Sequence, residues 1–273
     1  MPKRTPPIST DLLYTKLAPP RLPLDTPAAL VSRPALRDRL EAGLARKVTL
    51  ISAPAGWGKT TLISAWLAQQ TQPVAWVALD AGDNDPVRFW RYIITACRAF
   101  EAALGRSALT ALRAPQVSSL ESVLTSFINE LAQIPDRHVL ILEDYQAITS
   151  DEVNASLTFL IDHLPAALHV IVLTRSEPVL PLARLRARNE LSEFTTADLR
   201  FTLAETQAFL QKAGHVALAP EVIAHLEERT EGWAAGLHLM ALALQGRSDV
   251  KEVEEFLTTF SGGQRYVLEY LVG

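Results

Sequence analysis

Lys59, Thr60 and Thr61 follow Gly56, Trp57 and Gly58 where an apolar run gives way to helical spacing. These residue types suit phosphate chemistry. Glycines let the backbone curl with its N–H groups inward, a lysine can reach outer phosphates, and a threonine hydroxyl can hold Mg²⁺. The whole stretch, Lys47-Val-Thr-Leu-Ile-Ser-Ala-Pro-Ala-Gly-Trp-Gly-Lys-Thr-Thr61, reads as a buried strand, a phosphate-binding loop and a helix. Ala55, Gly56, Trp57, Gly58, Lys59, Thr60 and Thr61 are the candidate contacts to ATP or ADP. The match to Gly-x-x-x-x-Gly-Lys-[Ser/Thr] is one residue short, because Ala53 stands where the first glycine belongs. A small residue is enough there, since Gly56, Gly58 and Pro54 supply the turn.

Two further groups have the chemistry to complete such a site. Glu143 and Asp144 directly follow the apolar run Val139-Leu-Ile-Leu142. One acid can anchor Mg²⁺ together with Thr60 while its neighbour orients or activates water. Arg175 follows Val170-Ile-Val-Leu173 and Thr174, where a planar cation could stabilise charge on a γ-phosphate; the other reading is a surface pair with Glu177. Arg184, Arg186 and Arg188 alternate, which suits a solvated face better than a contact surface. The histidines at 138, 163, 169, 215, 225 and 238 have no ligand spacing, so no metal beyond Mg²⁺ is indicated. Trp66, Trp76 and Trp90 have apolar neighbours at the local period and read as core, whereas Trp57 lies inside the loop.

These residues need a scaffold that presents strand ends. Strands are expected at Val48–Ile51, Val74–Leu79, Val139–Leu142 and Val170–Leu173, with helices between them. Apolar strands alternating with helices specify an α/β fold, a P-loop NTPase parallel sheet covered by helices on both faces. Ala53, Asp80, Glu143 and Arg175 then fall at carboxyl ends, where such sheets bind ligands. Helices are expected from Pro34 to Ala45, from Pro86 to about Leu104, from Ser118 to Ile134 with Ser118 as N-cap and Glu121 completing a capping box, and from Asp151 to Leu164. The stretch after Pro178 and Pro181 reads as loop, and past about Thr195 the strand signals stop. Thr202-Leu-Ala-Glu205 is another capping box, opening a helix that Gly214 would end. Further helical patterns at 219–231, 233–245, 249–260 and 264–272 make a smaller all-helical domain. The expected division is a proline-rich extended arm (1–34), a nucleotide-binding domain (35–200) and a helical domain (201–273).

With 273 residues, 48% hydrophobic and 21% charged, the chain can bury a sizeable core. Its formal net charge of −4 argues against wrapping nucleic acid through a broad electrostatic footprint. A single cysteine, Cys97, excludes a disulfide framework. No apolar signal core follows the basic start, and the longest apolar run, Ala234 to Leu244, is interrupted by His238 and too short to span a bilayer. These features suggest a cytoplasmic protein without a membrane partner.

Six segments in order carry a family likeness: 53–61, Trp76 to Trp90, Leu142-Glu-Asp-Tyr145, Leu173-Thr-Arg-Ser-Glu-Pro178, Leu182-Ala-Arg-Leu-Arg-Ala187 and Thr230-Glu-Gly-Trp-Ala-Ala-Gly-Leu237. From about Leu17 onward the chain resembles the large ATP-dependent LuxR-type transcription regulators of the maltose-regulon activator type, a branch of the signal-transduction ATPases with numerous domains. The resemblance implies a slow Mg-dependent ATPase acting as a switch, with an ADP-bound resting state and an ATP-bound state that self-associates. It also implies that DNA is met only through a C-terminal domain absent here. The amphipathic stretch Gln264 to Leu271 suggests a chain cut from a longer one before a winged helix. Leu30-Val-Ser-Arg-Pro34 resembles a family segment near the adenine, which makes Arg33 an ATP-binding candidate. Two departures stand out. Glu143-Asp144 replaces the usual pair of aspartates, and Gly236-Leu237-His238 lacks the proline of an adenine-touching Gly-x-Pro, so that contact is not carried over. The alternative function is a P-loop kinase acting on a small molecule, which the helical tail and the acid pair fit less well. A DNA-binding module would need a basic recognition helix, which the sequence lacks.

Overall fold

The computed structural model describes residues 12–20, 31–71, 73–114, 119–212 and 220–244. The helices expected at 249–260 and 264–272, Gly214, and most of the 1–34 arm lie outside the described residues.

Five strands form one sheet: β1 (Val48–Ser52), β2 (Val74–Ala78), β3 (His138–Glu143), β4 (Leu168–Thr174) and β5 (Leu191–Phe194), in the order β2-β3-β4-β1-β5. The pairings β2·β3, β3·β4 and β1·β5 are parallel. Each strand is buried along nearly its whole length, the signature of a sheet packed on both sides. The chain leaving β1 must pass β4 and β3 to reach β2, while the chain leaving β4 passes β1 to reach β5. Such reversals are where open parallel sheets bind ligands.

The described residues of Pro20–Gln70, Leu173–Pro178 and Leu185–Gly273 form one compact unit. It holds α1 (Pro34–Gly43), β1, α2 (Lys59–Leu67), β5, α8 (Thr196–Leu199), α9 (Leu203–Lys212), α10 (Pro220–Thr230) and α11 (Ala234–Leu244). Pro34 opens α1, where its missing N–H costs nothing. The Thr202–Glu205 capping box forms as expected, with Glu205 N–H donating to Thr202 Oγ1 (3.2 Å) and Thr202 N–H to Glu205 Oε2 (2.9 Å). Phe201, Phe209, Leu210, Ile223, Leu226, Leu237, Met240 and Ala241 build the core of these later helices. Burying them supplies what short helices lack on their own.

The described residues of Met1–Pro19, Thr71–Val172 and Val179–Arg184 form the second unit. It holds β2, β3, α3 (Pro86–Cys97), α4 (Arg106–Ala111), α5 (Leu120–Leu131) and α6 (Asp151–Asp162). Trp90 is fully buried edge-on to Phe89, and its Nε1–H donates to Ser156 Oγ (2.8 Å). Asp85 caps α3 by accepting from Arg88 N–H (2.7 Å). Lys16, in the 3₁₀ turn Tyr14–Leu17, is only 8% exposed. Its ammonium bonds Asp80 (3.0 Å) and Asp83 and lies 4.4 Å from the centre of the Tyr92 ring.

Several expected elements differ. The stretch read as loop contains a helix, α7 (Leu182–Ala187), and a fifth strand, β5, follows it. Leu191-Ser-Glu-Phe194 is too short to show a period, and its pairing with β1 makes it a strand. The helix from Pro86 ends at Cys97 rather than about Leu104, and α4 follows as a separate element. The N-cap of α5 is Ser119, whose Oγ accepts from Ser122 N–H (3.3 Å), while Ser118 lies outside the described residues.

Candidate functional site

The loop after β1 is shaped by two left-handed glycines. Gly56 has φ 76° and Gly58 φ 80°, a region costly for side-chain-bearing residues. The loop begins at Ala53, whose N–H donates to Thr174 O (3.2 Å), so the residue before Arg175 is tied to the loop's start. Helix α2 begins at Lys59, directly after Gly58, and Leu62 N–H closes its first turn on Gly58 O (2.8 Å). Lys59 is 9% exposed, with its ammonium donating to Ala53 O (2.6 Å) and Pro54 O (2.9 Å). Ala55, Trp57 and Thr60 are half-buried, and Thr61 is exposed. One turn thus gathers a cation, a hydroxyl and the first amides of a helix, a set suited to phosphate oxygens.

The loop's carbonyls are held from another element. Trp233 Nε1–H donates to Ala55 O (3.1 Å) and Ala235 N–H to Gly56 O (3.0 Å). Nothing in the sequence marks Trp233 for this contact, because a single tryptophan ahead of a helix carries no signal for its partner. Gly232 just before it has φ 66°, and a Cβ there would lie 2.5 Å from Phe201 O. Only glycine fits that approach, which Phe201 N–H closes on Gly232 O (2.9 Å).

Arg175 is exposed at the end of β4. Arg33 directly precedes α1. Its guanidinium donates to Leu199 O (2.8 Å), Arg200 O (2.7 Å) and both carboxylate oxygens of Glu205 (3.0 and 3.2 Å), and it covers the Phe201 ring. The planar fork thereby ties the residue before α1 to the turn between α8 and α9.

Within the other unit, β3 ends in Glu143 and the chain turns at Asp144, both half-buried. Asp144 has φ 55°, an uncommon conformation for a residue with a side chain. Gln146 Nε2–H donates to its Oδ1 (2.8 Å), and Ala147 N–H to its carbonyl (3.0 Å). Two supports escaped sequence reasoning. The Asn84 amide donates to Ala147 O (2.8 Å) and accepts from Thr149 and Ser150 N–H (2.7 and 2.8 Å), and Tyr145 O–H donates to Asn154 Oδ1 (2.7 Å). Burial raises the Tyr145 phenol above its ordinary range, which keeps it a neutral donor. Burial would raise Asp80 too, but the hydrogen bond and charge of Lys16, the Gly82 amide and Arg88 outweigh it and hold the carboxyl below its usual value.

The alternating arginines behave as a solvated face. Arg184 pairs with Asp162, and Arg186 chelates Glu193 (2.6 and 2.9 Å), whose carboxyl its hydrogen bonds hold below the usual range. Among the described residues, no cluster of three or more His, Cys, Asp or Glu side chains could hold a metal, and no helix is long and apolar enough to cross a membrane.

Comparison with known proteins places these observations. The family described as AAA ATPase domain matches residues 31–173. Over 246 residues the chain is 35% identical to the serine/threonine-protein kinase PknK of Mycobacterium tuberculosis, covering 89% of this chain and 22% of that protein. It is 34% identical over 242 residues to the HTH-type transcriptional regulator MalT of Cronobacter sakazakii, covering 87% of this chain and 26% of that one. The chain therefore spans about a quarter of the length of these curated relatives. In fold it is similar to a signal transduction ATPase with numerous domains from Pyrococcus horikoshii that carries a tetratricopeptide repeat sensor, with a TM-score of 0.57 at 17% identity over 92% of this chain and 34% of that one.

Proposed function

The chain belongs to the AAA ATPase domain family, with MalT-type regulators among its homologues, and from that premise we propose that it is the nucleotide switch of a larger LuxR-type transcription regulator. The observation that carries this reading is the turn between β1 and α2, where Gly56 and Gly58 are left-handed and the Lys59 ammonium is drawn to the strand end. Amides from Gly56 to Thr60 would receive the phosphates of ATP or ADP, with Lys59 neutralising the outer ones. In this reading Thr60, Glu143 and Asp144 would supply oxygens to Mg²⁺, which takes one or two carboxylates and completes its shell with water and phosphate. Its chemistry would be to neutralise charge on the transferring phosphoryl group. Asp144 or Glu143 would orient water, and Arg175 would sense the γ-phosphate.

In this reading hydrolysis is slow and resets a conformational state; the ATP state self-associates, and DNA is met through a domain beyond this chain. The kinase alternative is not favoured. PknK and MalT bear different names yet both share this stretch, which supports a common switch module over a catalytic domain for a small acceptor. Arg33 enters the reading as an ATP-binding candidate that also holds the turn between α8 and α9.

Titration calorimetry of the Lys59→Ala variant tests the proposal. Tight ATP and ADP binding should disappear, because the charge facing the outer phosphates is gone. Parental affinity in the variant would sink the reading.

A further inference from the structure

The peptide planes of the phosphate-binding loop are fixed from the side of α11. A trans peptide holds its C=O and N–H in one plane pointing in opposite directions, and the described residues contain no cis bond. The indole N–H on Ala55 O therefore sets the direction of the Gly56 N–H, and the Ala235 N–H on Gly56 O sets that of the Trp57 N–H. Both amides are turned away from Trp233 and Ala235. Without these bonds the Gly56 backbone could rotate readily, as no Cβ restrains it.

The donors are themselves rigidly mounted. Trp233 N–H donates to Thr230 O (2.9 Å), and Leu237 N–H donates to Trp233 O (2.9 Å). Gly232 is pressed against Phe201 so closely that no side chain would fit.

We propose that Trp233 and the Ala235 amide are positioning groups of the phosphate-binding loop: they aim the Gly56 and Trp57 N–H groups at a nucleotide's phosphates, so that the placement of α11 sets nucleotide affinity. This rests on the nucleotide-switch reading above. Linkage then makes the effect reciprocal. A nucleotide that holds the loop amides must strengthen the bonds to Trp233 and Ala235, and a displaced α11 must loosen the nucleotide.

The test compares Trp233→Phe with Lys59→Ala in the full chain. Phenylalanine keeps a six-membered aromatic ring while removing the donor and part of the indole's volume. Its calorimetric Kd should rise about three- to tenfold for ADP and ATP alike, the scale of one lost neutral hydrogen bond. In the parent, the Trp233 indole proton, assigned from its sequence neighbours by NMR, should exchange with solvent more slowly once ADP is added. A purely packing role for the ring would not produce that. Unchanged Kd in Trp233→Phe, with binding lost in Lys59→Ala, overturns the inference and spares the switch reading. Parental binding in Lys59→Ala overturns the switch reading itself. Should Trp233→Phe fail to fold, an indole exchange rate in the parent that ignores ADP overturns the inference.

Discussion

Arg33 and Glu205, 172 positions apart in the chain, are joined by an ion pair of 3.0 Å with both side chains largely buried. Glu205 also completes the capping box of α9, so one carboxylate serves the helix start and the arginine together. Arg33→Ala would leave the Leu199 and Arg200 carbonyls and Glu205 without their charged partner. A loss of roughly 2–4 kcal/mol in stability is expected. Arg33→Lys should recover little of it, because one ammonium cannot span the fork's acceptors. Urea denaturation of the three proteins checks this, and a lysine variant as stable as the parent would contradict it.

Asp144→Asn should keep nucleotide bound while slowing hydrolysis, on the order of 10²–10⁴-fold if Asp144 is the base. Asparagine tolerates the left-handed backbone at this position, so the turn should survive the change. Phosphate release and calorimetry on the same preparation separate the two effects. Lost binding with unchanged turnover per bound ATP would make Asp144 chiefly a metal ligand and transfer the base role to Glu143.

Arg175→Ala should weaken ATP far more than ADP, by roughly 1.5–3 kcal/mol, because the proposed contact is to the phosphate that ADP lacks. Arg175 is exposed and follows Thr174, the residue bonded to Ala53. Its removal should therefore leave the fold alone. Equal weakening of both nucleotides would end the sensor assignment.

His138 supplies a pH prediction. Its ring stacks on Phe100 at 4.5 Å, and burial lowers its pKa from 6.5 despite opposing contributions from Asp136 and the Pro73 carbonyl. Below pH 6.5 the unfolded chain binds a proton that the folded chain still refuses, so stability falls as pH drops towards the folded pKa and levels off beneath it. His138→Phe keeps the stack and removes the titration. Melting temperature followed downward from neutral pH should decline less steeply in the variant, and parallel curves would show that His138 is not the group responsible.

The sequence by itself determined the local chemistry. Apolar runs of strand length, the glycines at 56 and 58 and the position of Lys59 depend on neighbours a few residues away, and so β1, the loop and α2 were legible before any fold was known. So were β2, β3 and β4, and the capping box at Thr202, whose two partners are three residues apart. Tertiary structure decided what long-range pairing decides. Leu191–Phe194 is a strand because β1 lies beside it, and the Arg33 guanidinium turns to carbonyls at 199 and 200 because the chain returns there. The grip of Trp233 and Ala235 on the loop joins groups some 178 positions apart, and Asn84 reaches the turn after β3 across 63. Each of these bonds ends on a backbone carbonyl, a group every residue carries, so no spacing or composition marks the partner in advance.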